Sequence, residues 1–156
     1  MPEGPSIVIV RDNLQPFVGK TVIRASGNSK KVEFEKLVGN KIVDVKSWGK
    51  HLLICFNNDF TIRIHFLMFG SYRINEYKSE TKPRLSFEFK ENESINFYTC
   101  SVLQIHEPLD NVYDWSADVM NNNWNEKKAL QKIIKHPDRL VSDVLLDQNI
   151  FAGVGN

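Results

Sequence analysis

The chain changes its hydrophobic rhythm twice. Ile7, Val10, Leu14 and Phe17 recur at i, i+3, i+7 and i+10, the spacing of one buried helical face. Pro2, Glu3 and Pro5 suit the start of that helix, and Gly19 suits its end. Its β-branched residues lower the intrinsic propensity, so packing must hold it. From Thr21 to Glu107 the rhythm shortens to two. Val22-Ile23, Val32-Glu33-Phe34, Lys41 to Val45, His51 to Phe56, Phe60 to His65, Leu85 to Phe89 and Ile95 to Tyr98 read as strands. Turn signals at Gly27-Asn28, Gly39-Asn40, Asn57-Asn58-Asp59 and Lys90 to Ser94 separate several of them.

After Pro108 the alternation stops. Residues 109–125 are polar and read as a partly helical connection. Lys127 to Lys135 follows, with Leu130, Ile133 and Ile134 assigned to one helical face and Pro137 ending the helix. A shorter helix is predicted from Val141 to Asp147, with Gly153-Val154-Gly155 closing the next turn. The fold class is therefore α+β: an N-terminal helix and an antiparallel β-sandwich or flattened barrel, then short helices.

Composition narrows the class. A hydrophobic content of 42% with 25% charge supports a packed core. The apolar runs are far too short to cross a bilayer, and Arg11-Asp12-Asn13 interrupts any leader-like stretch. A cytoplasmic protein is expected. Cys55 and Cys100 stand alone inside apolar stretches, with no Cys-x-x-Cys pair, and the four histidines lack ligand spacing, so neither metal nor cofactor is expected. Net charge is only +1, but it is unevenly placed. Residues 1–57 carry nine Lys/Arg against five Asp/Glu, and residues 76–126 carry four against ten. The two ends together can form a basic face for a polyanion, although an ordinary mixed surface fits the same counts.

The chemistry concentrates at Pro2-Glu3. Once Met1 is removed, Pro2 is a secondary α-amine, and α-amines titrate near pH 8. Such an amine can attack an electrophilic sugar carbon and form an iminium, with the neighbouring carboxylate moving protons. Taken alone, the two residues equally suit a helix start.

Four stretches in order change that reading: Met1-Pro-Glu-Gly-Pro5, Ser47-Trp48-Gly49-Lys50-His51-Leu52-Leu53, His65 to Gly70, and Leu145-Leu146-Asp147-Gln148-Asn149 continuing to Ala152-Gly153-Val154-Gly155-Asn156. Together they resemble the formamidopyrimidine-DNA glycosylase/endonuclease VIII family, on the endonuclease VIII side. The resemblance implies a catalytic sandwich domain over residues 1–118 and the first helices of a helix–two-turn–helix DNA-binding domain over 119–156. It implies a bifunctional DNA glycosylase and AP lyase of base-excision repair, a monomer acting on damaged double-stranded DNA near the bacterial nucleoid. Pro2 matches the nucleophile, Glu3 the acid of sugar-ring opening, and Lys50 a lysine that contacts phosphate.

Leu67, Met68 and Phe69 match the loop that fills the gap left by a flipped nucleotide, since unstacking a base costs a few kcal/mol that an inserted apolar side chain offsets. A continuing strand would instead bury Leu67 and Phe69, leaving Met68 as the wedge. His65 either faces phosphate or is a hydrogen-bonded interior histidine, the latter slightly favoured. Asn156, with the backbone of Gly153-Val154-Gly155, matches a phosphate-holding turn.

Two departures stand out. Ser6 occupies a position where the family usually has a second glutamate, which weakens the expectation of efficient base excision. The rest of the helix–two-turn–helix and the zinc finger, or its zincless equivalent, lie outside these 156 residues, so a fragment of a longer protein is expected, with apolar surface exposed near Phe151. The competing expectation is a catalytically silent module that binds damaged DNA.

Overall fold

The computed structural model describes all 156 residues. Helix α1 (Gly4–Leu14) continues into a short 3-10 turn ending at Phe17, and Ile7, Val10, Leu14 and Phe17 are all buried, as their spacing predicts. Gly19 ends this segment at φ +90°. Glu3 precedes the helix as its N-cap with extended backbone, rather than lying in its first turn.

Eight strands follow: β1 (Arg24–Ser26), β2 (Ile42–Trp48), β3 (His51–Phe56), β4 (Phe60–His65), β5 (Ser71–Ile74), β6 (Leu85–Glu88), β7 (Ser94–Tyr98) and β8 (Ser101–Ile105). They form two antiparallel four-stranded sheets, ordered β1-β6-β7-β5 and β2-β3-β4-β8. The α+β sandwich is therefore as predicted. Leu52, Ile54 and Phe56 of β3 and Ile62 and Ile64 of β4 point inward, meeting Leu85, Phe87, Ile95 and Phe97 of the other sheet. One cluster of 23 buried side chains results, and α1 packs its apolar face into it. The other face of β3 is also covered: Leu53 packs with Ile105 and Tyr113, flanked by Trp48, Leu109 and Trp115.

Three expectations need correction. Val32-Glu33-Phe34 is not a strand; Phe34–Lys36 forms a 3-10 turn whose carbonyls are satisfied locally, by Leu37 N–H on Phe34 O for example. The first strand is Arg24–Ser26, while Val22 and Ile23 lie just before it. Strands β5 and β8 carry weak alternation and were not predicted.

The connection contains α2 (Leu109–Val112), and helices α3 (Glu126–Ile134) and α4 (Val141–Leu146) follow it. The apolar face assigned to α3 is turned differently: Ala129 is buried with Ile133 half-buried, while Leu130 and Ile134 are exposed. Ala129, Val144 and Ile150 form a small core, and Phe151 stacks on Trp124 at 5.7 Å, so the exposed apolar surface lies on α3 and α4 rather than at Phe151 itself. No helix is long and apolar enough to cross a membrane. Cys100 belongs to the main core, where burial pushes its thiol up to about 11 and leaves it unreactive, whereas Cys55 is half-buried between its cross-strand partners Asp44 and Thr61.

Candidate active site

Three glycines bring the amino terminus, the β2–β3 turn and the carboxyl-terminal turn together. The Gly4 N–H donates to Gly153 O at 3.0 Å. A β-carbon on Gly153 would stand 3.2 Å from Gly4 Cα and 3.4 Å from Gly49 Cα, and one on Gly49 would stand 3.0 Å from Gly153 N. Gly153 and Gly49 also have φ of +99° and +53°, a region that L side chains rarely enter. Side chains at these positions would force the three segments apart.

The junction sets where the chemistry-bearing side chains stand. Glu3, although at the N-cap, makes no capping hydrogen bond with its side chain. Its carboxylate instead reaches the carboxyl-terminal turn. A β-carbon on Gly155 would lie 2.5 Å from Glu3 Oε1 and 2.9 Å from Lys50 Nζ. Carboxylate and ammonium therefore converge on the bare face of Gly155. Lys50 is delivered there by a two-residue turn, Gly49-Lys50, between Trp48 and its cross-strand partner His51.

Two recesses flank the amino terminus. Pro2 lines one of about 270 Å³ with Ser6, Val10, Phe66, Gly70, Ser71, Tyr72 and Arg73. Met1 lines the other, about 420 Å³, with Lys50, His65 and Asn156. Ser6 is exposed at the mouth of the Pro2 recess, where Arg73 is the one charged side chain.

His65 is half-buried and makes no hydrogen bond; burial first, then the Arg63 and Lys50 charges, hold its ring below the usual imidazole range. The hydrogen-bonded interior histidine is its neighbour His51, whose Nδ1 lies 3.1 Å from the Tyr113 hydroxyl and whose pKa burial lowers to about 4. The rings of His51 and His65 meet edge to face at 5.4 Å. Trp48 packs on Tyr113 and His51 and donates its Nε1–H to Asp114 O at 2.9 Å, a packing role.

Strand β4 ends at His65, so Leu67, Met68 and Phe69 form a loop rather than a continuing strand. The Gly70 N–H closes it on Phe66 O at 2.8 Å, and Leu67 adopts φ +56°. All three apolar side chains face solvent, Phe69 most (76%) and Met68 next (63%).

One contributor had no signal of its own. The Gln148 side chain accepts from Gly153 N–H and donates to Val154 O, both at 2.9 Å, so it templates the turn that carries Gly155 and Asn156. Its place in the Asp147-Gln148-Asn149 motif was the available clue. No three His, Cys, Asp or Glu side chains cluster as metal ligands.

The model of the formamidopyrimidine-DNA glycosylase N-terminal domain matches residues 1–100. The chain belongs to the formamidopyrimidine-DNA glycosylase/endonuclease VIII family. It is 31% identical over 173 residues to endonuclease 8 of Pectobacterium carotovorum, and 27% identical over 165 residues to endonuclease 8 2 of Mycobacterium tuberculosis. In both cases all of this chain aligns with 64% of the relative. The chain thus spans less than two thirds of the length of these relatives. The fold matches that of the Lactococcus lactis formamidopyrimidine-DNA glycosylase, bound non-covalently to DNA with an AP site, at a TM-score of 0.80 and 21% identity, over 99% of this chain and 64% of that one. A viral DNA glycosylase superposes with a TM-score of 0.82 at 21% identity, over 99% of this chain and 66% of that one.

Proposed function

We propose that this chain carries the reacting groups of a bifunctional DNA glycosylase and AP lyase that removes an oxidised base, a pyrimidine by preference, and then cuts the strand. The observation that carries the reading is the convergence of Glu3 and Lys50 on Gly155 beside Pro2, with the Glu3 side chain released from any capping role. A glutamate kept only as a helix start would spend its carboxylate on the first-turn N–H groups.

After loss of Met1, the Pro2 nitrogen attacks C1′ of an extruded nucleotide. The N–C1′ bond forms as the C1′–base bond breaks, and the base leaves with a proton. Glu3 protonates O4′, the ring opens and the iminium remains. Loss of the C2′ proton then expels the 3′-phosphate, a second elimination expels the 5′-phosphate, and water releases the sugar remnant from Pro2. Lys50, with His65 and the Asn156 turn, holds the flanking phosphates, and Met68 and Phe69 fill the vacated stack.

Borohydride trapping on abasic duplex tests this, using protein with a native Pro2 terminus. A covalent adduct is expected, and Pro2→Ala should lose most of it, because the primary amine that remains has the wrong geometry. Absence of any adduct overturns the lyase reading; salt-dependent duplex binding in that case would assign the chain to the silent binding module.

A further inference from the structure

Two recesses flank the amino terminus, and the steps above use only one of them. The recess on the Met1 side carries Lys50, His65 and Asn156, the groups assigned to phosphate. The other, lined by Pro2, Ser6, Val10, Phe66, Tyr72 and Arg73 among others, has no part in those steps. Its volume of about 270 Å³ falls below the roughly 300–1,000 Å³ of pockets that hold drug-sized ligands, so it suits one small ring rather than a whole nucleotide. Val10 and Phe66 are buried, and the rings of Phe66 and Tyr72 stand 6.2 Å apart, which gives the recess an apolar wall.

Few polar groups remain for a ligand. The Tyr72 hydroxyl already accepts from Asn13 Nδ2 at 2.8 Å. Ser6 offers a hydroxyl at the mouth. Arg73 spends one Nη1 hydrogen on Tyr72 O at 2.9 Å and has no carboxylate within ion-pair distance. A guanidinium carries several N–H donors and no acceptor, so most of its donors are free. No carboxylate lines the recess. What fits it is a flat ring that presents oxygen acceptors.

The connectivity of a nucleotide says which part that is. With C1′ at the Pro2 nitrogen and the phosphates on the Lys50 side, the base joined to C1′ has the remaining recess to enter. We propose that the Pro2 recess receives the extruded base and that Arg73 is its specificity-determining residue, selecting bases that turn carbonyl oxygens toward it. The proposal rests on the Pro2–Glu3–Lys50 reading and names its substrate class. An oxidised pyrimidine of the uracil or thymine type has a carbonyl on each side of N3, so an acceptor meets the guanidinium whichever edge enters. A cytosine-type base keeps one carbonyl and puts an amino donor in place of the other.

Duplex binding by wild type and Arg73→Met tests this with two non-cleavable nucleosides of similar shape in one sequence. The first is 5-hydroxyuracil on 2′-fluoroarabinose, whose fluorine keeps the base attached. The second is the difluorotoluene nucleoside, which sets fluorines, poor acceptors, where the carbonyls stand. Arg73→Met is expected to weaken the hydroxyuracil duplex about tenfold, the scale of a charge-assisted hydrogen bond partly shared with water, and the difluorotoluene duplex less than about twofold. The ratio of the two cancels any loss of folded protein, which lowers both alike. Equal weakening of both duplexes overturns the proposal and makes Arg73 a contact to the DNA backbone; no weakening of either also overturns it. Borohydride trapping on abasic duplex is read in parallel. If wild type yields no adduct, the lyase reading fails, and the binding ratio still decides whether Arg73 reads the base.

Discussion

The sandwich and the carboxyl-terminal helices contribute to one site but are held together by different means. The sandwich buries 23 side chains in one cluster, with β3 covered on both faces. The segment from Trp124 to Phe151 buries three, and leaves Leu130, Ile134, Leu140 and Val141 in solvent. Polar ties hold it instead: Lys132 Nζ to Asp114 at 3.1 Å and to Asn149 O at 2.6 Å, Arg139 to Asp147 at 2.8 Å, and the Asp118–Ala152 bridge. Half of the site is therefore carried by a rigid core and half by a docked turn that can open locally, since few buried apolar contacts mean low local stability.

The largest effect expected is in the sandwich. Phe87 is fully buried and stacks on Phe56 at 5.7 Å and Phe89 at 6.5 Å. Phe87→Ala should cost about 3–5 kcal/mol of global stability, read as a lower urea midpoint at unchanged slope. A loss below about 1 kcal/mol would show that the sandwich core is looser than its burial implies.

His51 gives the next effect, and it is a pH effect. Buried neutral, it resists protonation down to about 4, whereas an unfolded histidine titrates at 6.5. Stability is therefore complete above pH 6.5 and is lost as pH falls toward 4, because there only the unfolded state takes the proton. The window is worth at most about 3 kcal/mol, and nearer about 2 kcal/mol once the ring's exposed edge is allowed for. His51→Gln should flatten that part of the stability–pH curve relative to wild type. An unchanged slope between pH 6.5 and 4 would mean that the ring is solvated.

The same contrast explains what could be read from the residues. In α1 one face is buried and the other is not, and β3 and β4 are runs of large and β-branched apolar residues bounded by turn signals, so Ile7-Val10-Leu14 and Leu52-Ile54-Phe56 announce their elements. Strand β8 is partly covered on both faces, and β5 is four mixed residues, so neither carries a period. Val32-Glu33-Phe34 alternates as a strand does, but no partner strand lies there. On α3 the larger side chains were taken for the buried face. The small core has room for Ala129 and not for Leu130. Pro2, Glu3 and Lys50 stood out through the resemblance, not through their own pattern. Gly155 meets Glu3 and Lys50, both distant in sequence, and nothing local marks that; Gln148 acts on a turn five and six residues away and was marked only by its motif.

The helical segment should respond to core truncation on a smaller scale and locally. Val144→Ala removes two methylene equivalents from a three-residue core, about 1.6 kcal/mol. Hydrogen exchange should quicken in α3 and α4 while the β3 and β4 amides keep their rates. Equal acceleration in both regions would show one cooperative unit and remove the contrast.

The smallest effect tests the exposed face of α3. Leu130 is 56% exposed, so replacing it forfeits little burial. In Leu130→Lys the new ammonium stands four residues after Glu126, an orientation that stabilises a helix by about 0.2–0.5 kcal/mol. Against this stands the loss of the Leu130–Ile134 apolar pair on the same face, of similar size. The two nearly cancel, so stability measured by thermal unfolding should stay within about 0.5 kcal/mol of wild type. A loss above 1 kcal/mol would place Leu130 in a covered interface rather than on a free face, and the small helical core would have to be counted as larger than its three buried residues.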